Sequence, residues 1–497
     1  MTPDAPHPPR RIAVIGNGMT GARFAEEVAR RDPGGRRVRL TVVGEEEGPA
    51  YNRVLLPGIV EGAYAPGDIA LPEPQAPGIT RRTGTAAVRI DPARRRVDLD
   101  DGDRLDYDDL VLATGARAAL PPLEGLRAPD GGPGDGVTAL RDLADCRRLR
   151  ALVRPGAPVV VLGGGVLGLE TARALAAAGA RVSVVESSPW IMRRQIDRAA
   201  AEVLARAYTA LGVAVHSWRV AARWAPGTGL ELDDGRVLPG DAVVVTAGVR
   251  PATALAEAAG LAVDGGVLVD DRLSTSDPRV HAIGDCARHP AGGAGLVRPG
   301  YEQAAALADL LTGADPAARY TGARPLTRLK AAGIDLTAMG EADPEPGGGG
   351  AADAAGQVQT VTVSDPGRGR YARLNLRGDR ISGAVLLGFP DAAPEVSRLF
   401  EAGAAVPEDR LALLQGLPAA APEGPGAEEE APVCRCNAVT RTGIERAWLD
   451  GARTRAAVAE ATRATTGCGG CVRDVDALLA GMGSGRGERE EEPAAAR

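Results

Sequence analysis

The first apolar run of the chain predicts a short, fully buried strand from Arg11 to Ile15. After a glycine-rich turn, apolar positions recur at helical spacing from Ala22 to Arg31, and a second strand is predicted from Val38 to Val43. Glu45 closely follows that strand. Strand, turn, helix and strand in this order predict a parallel βαβ unit.

The same order of elements recurs in the second quarter of the chain. Its strand, helix and acid-terminated strand are predicted at Val159 to Leu162, Leu169 to Ala178, and Val182 to Val185 followed by Glu186. In both units the turn reads G-x-G-x-x-G, at Gly16 to Gly21 and at Gly163 to Gly168. With 66 glycines in the chain, about one such pattern is expected by chance, so the surrounding elements decide its meaning.

Each glycine of the pattern meets a separate physical need. The first permits a tight turn, the second lets the backbone approach a pyrophosphate, and the third packs the helix against the strand. The helix N-terminus then offers unpaired N–H groups and the positive end of its dipole to the phosphates. Two such units predict two dinucleotide-binding folds, with a purely structural turn in one of them as the alternative.

Two stretches rich in small residues and proline interrupt the second half of the chain. Pro344 to Gly356 predicts a surface loop, and Leu417 to Pro432 predicts a tether. Between them, strands are predicted from Val358 to Val363 and from Tyr371 to Leu387, with a turn at Gly378-Asp379, and a helix from Ala393 to Glu401. This pattern is typical of a small α+β domain.

Composition narrows the classes of function. The formal net charge of -7 gives no general attraction to nucleic acid or to an acidic membrane, so no partner of either kind is expected. The longest apolar stretch, Val159 to Val185, contains charges and glycines and does not predict a membrane span. The first residues lack the apolar core of a signal peptide, which favours the cytoplasm. Oligomeric state stays open, a homo-oligomer included.

Further motifs end predicted strands in glycine or an acid, as sites for a flavin nucleotide do. They are Leu110 to Gly115, Val243 to Gly248 and Val280 to Asp285. Together with Tyr51-Asn52-Arg53, Gly295 to Gln303 and Leu329 to Leu336, they resemble the two-dinucleotide-domain flavoprotein reductases. The resemblance is to the reductase half of NAD(P)H-dependent nitrite reductase large subunits and to electron-transfer subunits of assimilatory nitrate reductases.

The resemblance implies an α/β fold with two Rossmann-like domains, for FAD and NAD(P)H, plus a small α+β domain and a small helical [2Fe-2S]-binding domain. The implied boundaries are residues 1–118 with 250–320 for FAD, 119–249 for NAD(P)H, 321–416, a linker at 417–432, the cluster domain at 433–482 and a disordered tail at 483–497. The residues implied to hold FAD are Gly16, Gly18, Gly21, Glu45, Arg53, Thr114, Gly115 and Asp285. Those implied for the nicotinamide cofactor are Gly163, Gly165, Gly168 and Glu186.

Glu186 stands where an acid accepts the ribose 2'-hydroxyl, which favours NADH because a carboxylate repels a 2'-phosphate. Arg193 and Arg194 leave NADPH open, since they can reach a phosphate unless they are solvated on a helix. By resemblance Glu170 is a catalytic acid near the nicotinamide ring, or else it caps its helix. Lys330, the chain's single lysine, is a catalytic candidate that stabilises reduced flavin, or else a solvated or ion-paired side chain.

Four of the six cysteines fall in one short segment, as Cys434-Arg435-Cys436 and Cys468-Gly469-Gly470-Cys471. In a cytoplasmic chain, four thiolates at such spacing suit zinc or a [2Fe-2S] cluster. The pattern resembles the bacterioferritin-associated ferredoxin domain, which implies the cluster. Backbone N–H groups of Gly467, Gly469 and Gly470, and the charge of Arg435, are then expected to raise its potential.

Cys146 and Cys286 lie apart from that segment, and both are interpreted as structural. Related reductases carry a redox disulfide or a peroxidatic cysteine soon after the first strand, and this chain has no cysteine there. Electrons are therefore expected to leave through the cluster. A molybdenum nitrate reductase subunit is the first candidate acceptor and a separate nitrite reductase the second, because no cysteines for a sirohaem centre follow Cys471. The alternatives are an iron-mobilising partner of bacterioferritin and a flavin-based redox sensor.

Overall fold

The computed structural model describes residues 8–73, 75–292, 295–342, 358–416 and 432–484. The interior is formed by two five-stranded parallel sheets, one five-stranded antiparallel sheet and a small helical unit. The expected α/β class is confirmed. None of the helices in these residues is long and apolar enough to cross a membrane.

The first stretch of chain supplies most of one parallel sheet and a small antiparallel one. Its strands are β1 Arg10–Ile15, β2 Val38–Gly44, β3 Ile79–Thr83, β4 Ala87–Asp91, β5 Arg96–Leu99, β6 Arg104–Asp106, β7 Asp109–Leu112 and β8 Ala116–Ala118. Its helices are α1 Met19–Arg31 and α2 Leu56–Glu61, with 3-10 turns at Arg53–Leu55 and Pro66–Ile69. Strands β4, β5 and β6 pair antiparallel outside the main sheet.

The second stretch forms a complete parallel sheet in the order β12-β11-β10-β16-β9. Its strands are β9 Val137–Thr138, β10 Pro158–Leu162, β11 Arg181–Glu186, β12 Ala214–Ser217, β13 Ala221–Ala225, β14 Gly229–Leu232, β15 Val237–Pro239 and β16 Ala242–Val245. Its helices are α3 Leu143–Leu152, α4 Val166–Ala177 and α5 Arg198–Ala210. Residues of β10 and β16 are almost fully buried, as expected for strands covered on both faces.

The third stretch returns to the first sheet. Its elements are β17 Val249–Pro251, α6 Ala254–Ala258, β18 Val267–Leu268, β19 Val280–Ala282, β20 Ala287–Arg288 and α7 Val297–Thr312, with a 3-10 turn at Gly284–Cys286. β19 pairs parallel with β7, which completes the order β19-β7-β1-β2-β3. The first sheet therefore takes strands from two separate parts of the sequence, and α1 packs against α7 over one of its faces.

The fourth stretch is the small α+β unit. Its elements are β21 Leu326–Ala331, β22 Ile334–Gly340, β23 Val358–Asp365, β24 Arg370–Arg377, β25 Arg380–Leu387, α8 Ala393–Ala402 and α9 Arg410–Leu414, with a 3-10 turn at Pro366–Arg368. The sheet order is β21-β22-β25-β24-β23. The expected loop at Pro344 to Gly356 lies outside the described residues.

The cysteine-bearing segment forms a unit of three helices and one short hairpin. Its elements are β26 Pro432–Cys434, β27 Val439–Thr440, α10 Arg441–Leu449, α11 Arg455–Thr462 and α12 Val472–Ser484, with a 3-10 turn at Arg435–Asn437. Two expectations were wrong at its ends: Pro432 belongs to a strand, and Gly483 to a helix. The rest of the expected tether, 417–431, and residues 485–497 lie outside the described residues.

Candidate active site

A single cleft of about 1200 Å³ is lined by both glycine turns and by the cysteine segment. It lies at the carboxyl ends of β1 and β10, where ligands of open α/β sheets bind. The structure places most of the predicted site residues around it: Gly16, Gly18, Glu45, Arg53, Thr114, Gly115, Asp285, Gly163, Gly165, Glu170, Glu186, Lys330, Cys436, Cys468 and Cys471. Gly21, Gly168 and Cys434 do not line the cleft.

The glycine turns show why two of those residues lie behind the cleft wall. A Cβ atom on Gly21 would lie 1.9 Å from the carbonyl oxygen of Gly16, and one on Gly168 would lie 1.9 Å from that of Gly163. These two glycines therefore serve helix-to-strand packing. Gly16 and Gly163, with φ of +118° and +119°, make the tight turns themselves.

The middle glycines leave room for a ligand. A Cβ atom on Gly165 would meet nothing within 4 Å, and one on Gly18 would only reach the Arg53 side chain at 3.9 Å. Gly18 and Gly165 are the N-cap residues of α1 and α4, so no cap side chain occupies the first N–H groups of either helix. Helices α3 and α5, by contrast, are capped by Asp142 and Asp197. Both turns thus fit the pyrophosphate of a dinucleotide.

Around the first turn, the predicted flavin residues are fixed by neighbouring segments. The Thr114 hydroxyl donates to the carbonyl oxygen of Ala252 at 2.7 Å. Asp285 accepts from the N–H of Gly295 at 3.2 Å and faces the Arg141 guanidinium at 3.4 Å. Asp285 therefore lines the cleft, with one carboxylate oxygen bonded to Gly295 and the other facing Arg141.

Arg53 and Glu45 differ in how firmly they are held. Arg53 donates to the carbonyl oxygen of Arg141 at 2.9 Å, pairs with Glu46 and lies over the ring of Tyr51. The Glu45 side chain is 69% exposed and meets Arg117 at 3.4 Å. Glu45 is thus held only by one exposed ion pair at the edge of the cleft.

At the second turn, Glu186 is oriented by the backbone. One carboxylate oxygen accepts from the N–H of Gly164 and the other from the N–H of Ser188, both at 2.7 Å. Arg193 and Arg194 are exposed and line the cleft in the turn between β11 and α5. The expectation that they sit on a helix if solvated was wrong, and the Arg193 guanidinium lies over the Trp190 ring.

Glu170 and Lys330, predicted separately, are brought together. The Glu170 carboxylate is 5% exposed and accepts from the backbone N–H of Lys330 at 2.8 Å. The Lys330 Nζ lies 3.7 Å from the same oxygen. Glu170 therefore bonds to β21 rather than capping its own helix, and the ion-paired reading of Lys330 is the one observed.

The four clustered thiols lie near one another, and each shifts the pKa of a neighbour, in the order Cys471, Cys434, Cys436 and Cys468. The sulfurs of Cys434 and Cys436 are 3.7 Å apart. Across the described residues, no group of three or more His, Cys, Asp and Glu side chains is arranged to hold a metal ion. What fits a cluster of two irons is the donor set, four thiols in one unit, because each iron takes two cysteines.

The loop around the sulfurs supports that fit. The N–H of Cys468 donates to the Cys436 sulfur at 3.4 Å, and a Cβ atom on Gly467 would lie 2.3 Å from the same sulfur. The pKa of Cys468 is lowered to about 6, first by the hydrogen bond with Cys436, then by the N–H of Gly470 and the charges of Lys330 and Arg328. The loop is built for close backbone approach to anionic sulfur. The side chain of Arg435 lies outside what the structure describes.

The other two cysteines lie in the interior. Cys146 and Cys286 are 1% and 0% exposed, and burial raises the pKa of Cys146 to about 12. A thiol with so high a pKa is a poor nucleophile at neutral pH.

Sequence reasoning missed three polar residues that join the cysteine unit to the first sheet: Asn52, Tyr301 and Asn437. Asn52 and Tyr301 bond backbone carbonyls just before Cys468. Asn437 accepts from Arg23 at 2.9 Å, and its amide nitrogen lies 3.8 Å from two of the sulfurs. Asn52 and Tyr301 belong to two of the sequence motifs described above. Their hydrogen bonds span more than 160 positions, however, and only the folded structure reveals them.

Comparison with known families divides the chain into three matched regions. Residues 10–306 match the pyridine nucleotide-disulphide oxidoreductase family. Residues 325–404 match the rubredoxin NAD+ reductase C-terminal domain, and residues 432–481 match the BFD-like [2Fe-2S] binding domain.

Two curated relatives are similar over nearly the whole chain. The assimilatory nitrate reductase electron transfer subunit of Bacillus subtilis is 31% identical over 95% of this chain and 59% of its own length. The nitrite reductase (NADH) large subunit of Escherichia coli is 31% identical over 94% of this chain and 55% of its own length. The chain thus spans less than two thirds of these relatives.

Among solved structures, a ferredoxin reductase from Rhodopseudomonas palustris superposes with a TM-score of 0.69 at 26% identity. The match covers 80% of this chain and 96% of that one. Together, the family matches account for the expected FAD, NAD(P)H and [2Fe-2S] cluster.

The glycine geometry makes a paired prediction. Gly165→Ala should leave the thermal unfolding temperature unchanged but weaken NADH binding about tenfold, roughly 1.4 kcal/mol, because its methyl group enters the space left for the pyrophosphate. Gly168→Ala should instead lower the free energy of unfolding by about 1–3 kcal/mol through overpacking. Calorimetric NADH titration and thermal unfolding separate the two effects. Wild-type NADH affinity in Gly165→Ala would contradict the placement of the second turn.

The orientation of Glu186 predicts a preference for NADH. Anaerobic bleaching of the flavin should need less NADH than NADPH, and Glu186→Arg should narrow or reverse that ratio, because the carboxylate repels a 2'-phosphate. Glu45→Gln, at the corresponding acid of the other fold, is the control and should leave the ratio unchanged. A wild-type preference for NADPH of about tenfold, ~1.4 kcal/mol, would show that Arg193 and Arg194 dominate.

Proposed function

We propose that this chain, which belongs to the pyridine nucleotide-disulphide oxidoreductase family, supplies electrons from NADH to a separate nitrate reductase. The chain is an FAD- and NAD(P)H-dependent oxidoreductase with a BFD-like [2Fe-2S] domain. One observation carries the proposal: both glycine turns and three of the clustered cysteines line the same cleft.

The residues divide the work in that cleft. Bound FAD would supply the chemistry that takes hydride from NADH and releases electrons singly, as a [2Fe-2S] cluster requires. The turn at Gly16, Gly18 and Gly21, with Glu45, Arg53, Thr114, Gly115 and Asp285, holds FAD. Gly163, Gly165, Gly168 and Glu186 hold the nicotinamide cofactor, and Cys434, Cys436, Cys468 and Cys471 hold the cluster.

Glu170 and Lys330 are proposed to act at the reacting end of the cleft. Glu170 is buried, and its carboxylate is held in one position by a hydrogen bond from the backbone of β21. Lys330 places a cation beside Glu170 and the Cys468 loop. A fixed cation there favours an anionic reduced cofactor.

The cysteines explain how electrons leave. Among the described residues that line the cleft, the cysteines are Cys436, Cys468 and Cys471. Cys146 and Cys286 are buried and do not line it. A redox disulfide beside the flavin is therefore not what this site offers, despite the family's name, and the cluster is the exit that the geometry supports.

The acceptor follows from the relatives. The relative named as an electron transfer subunit of assimilatory nitrate reductase matches 95% of this chain. A nitrite reductase is the second candidate, because a nitrite reductase large subunit matches almost as much of the chain. Because the first of these relatives is named as a subunit, the acceptor is proposed as a separate molecule.

Removing one cluster ligand tests the order of electron flow. Cys468→Ser should abolish the EPR signal of the dithionite-reduced cluster and stop transfer to the protein acceptor, because serine is a poor iron ligand. Flavin reduction by NADH in stopped-flow absorbance should stay near the wild-type rate, since hydride transfer needs only the two nucleotide sites. Small acceptors that reach the flavin should still be reduced. Cys146→Ser, in the core, should keep both signals.

Two results would contradict this order. Cluster reduction by NADH at the wild-type rate in Cys468→Ser would show that the thiol is not a ligand. Stoichiometric zinc without iron or sulfide, after anaerobic purification, would contradict the cluster and the proposed path by which electrons leave.

The acceptor is tested by co-purification. The tagged chain, expressed in its source organism on nitrate as the nitrogen source, should retain a molybdenum-containing protein and reduce it with NADH. A sirohaem protein in its place would favour the nitrite reductase, and a ferritin shell would favour iron mobilisation. Negligible NADH turnover with any acceptor would favour a redox sensor.

A further inference from the structure

Three successive backbone carbonyls lie directly before Cys468, and all three accept hydrogen bonds from side chains of the first sheet's domain. The Asn52 amide nitrogen donates to the carbonyl oxygens of Thr465 at 3.2 Å and Gly467 at 2.8 Å. The Tyr301 hydroxyl donates to that of Thr466 at 2.9 Å. Asn52 and Tyr301, from distant parts of the chain, thus both hydrogen-bond to the short loop before Cys468.

The Asn52 donor is oriented before it meets the loop. Asn52 is 2% exposed, and its side-chain oxygen accepts from the N–H of Val54 at 3.1 Å. Its own backbone N–H donates to Ile69 at 2.8 Å. The amide oxygen therefore faces a donor and the amide nitrogen faces two acceptors, which fixes the side chain in a single orientation.

The Tyr301 donor is equally fixed. Tyr301 is 5% exposed in the first turns of α7, and the Arg23 guanidinium lies 5.0 Å from its ring centre. Burial raises the pKa of the Tyr301 hydroxyl, so it stays protonated and able to donate. Neither donor needs to move to hold the loop.

The loop itself has a conformation that requires support. Arg463 and Thr465 have φ of +67° and +71°, in the left-handed region that residues other than glycine seldom adopt. Such a backbone persists when its surroundings over-determine it. Asn52 and Tyr301 bond the carbonyls next to this strained stretch.

The loop is held against the segment that also serves the flavin side. A Cβ atom on Gly469 would lie 2.9 Å from Leu55 and 3.8 Å from the Lys330 side chain. Leu55 and Arg53 share the same 3-10 turn, and Arg53 lines the cleft. The turn that carries Arg53 into the cleft therefore also bears on the loop of Cys468.

We propose that Asn52 and Tyr301 are positioning residues that fix the Cys468 loop against the flavin cleft and so set the rate of electron transfer from flavin to cluster. The inference rests on the proposed function, in which one electron lost by reduced flavin is gained by the cluster. The hydrogen bonds of both residues to the loop end on its backbone carbonyls, so both are proposed to act through the backbone of the loop.

The test compares Tyr301→Phe and Asn52→Ala with Arg455→Met. Tyr301→Phe removes one hydroxyl and keeps the ring under Arg23, so folding is not at stake. Arg455 contacts the Tyr64 ring across the same interface but reaches none of the three carbonyls, which makes it the matched control. All proteins are full-length and loaded with FAD and iron–sulfur.

In stopped flow with NADH, flavin reduction should keep its wild-type rate in all three variants. The later reduction of the cluster should slow about tenfold or more in Tyr301→Phe and Asn52→Ala, since misplacing reacting groups by ~1 Å can cost up to ~10²-fold. Hydrogen exchange of the peptide that covers residues 463–471 should also rise in these two variants. Arg455→Met should change neither quantity, although its unfolding temperature falls.

The outcomes separate this inference from the function on which it rests. If flavin is reduced but the wild-type cluster never is, the proposed electron path fails. If the wild-type cluster is reduced and both variants match its rate and exchange, the positioning role is overturned. If Asn52→Ala lacks iron and sulfide, Tyr301→Phe alone decides. Equal slowing in Arg455→Met would assign a general docking role instead.

Discussion

The docking of the cysteine unit on the first dinucleotide fold is the contact on which the rest of the site depends. Each glycine turn leaves the N-terminus of a helix open to a nucleotide, but the proposed electron path requires the cysteines to reach the same cleft. The structure achieves this with a polar interface: Arg463 pairs with Glu26 and Glu27, and Arg23 bonds Asn437. Polar contacts are directional, so they fix orientation as well as proximity.

Glu27 illustrates the balance between desolvation and ion pairing at this interface. It is 1% exposed and contacts Arg23, Arg31 and Arg463. Burial alone would raise its pKa, but hydrogen bonds from Arg30 and Arg31 lower it from 4.5 to about 2. Its stabilising contribution is therefore present above pH 4.5 and lost as the pH falls towards 2. Because desolvation offsets much of the attraction between buried charges, the network contributes mainly by holding one arrangement.

The sequence could predict what is local. The turns at Gly16 and Gly163 were recognisable because the three glycines of each turn have their structural roles within six residues. The buried strands were recognisable because a strand that is covered on both faces is a continuous apolar run. Asn52 and Tyr301 could not be assigned, since their partners lie 413 and 165 positions away. The pairing of Glu170 with Lys330 spans 160 positions, so each residue was named without the other. Contacts of this kind depend on how whole units pack, which no periodicity encodes.

The small α+β unit has a more direct part in the site than its distance along the chain indicates. Its first strand, β21, carries Arg328 and Lys330, whose charges act on Cys468. The same strand donates the Lys330 N–H to Glu170, which stands on α4, the helix that follows the second glycine turn. One strand thus joins the nicotinamide side of the cleft to the cysteine side. Because a strand resists bending when it is paired along its length with β22, β21 is a firm base for both contacts: its backbone holds Glu170, and its Arg328 and Lys330 side chains act on Cys468.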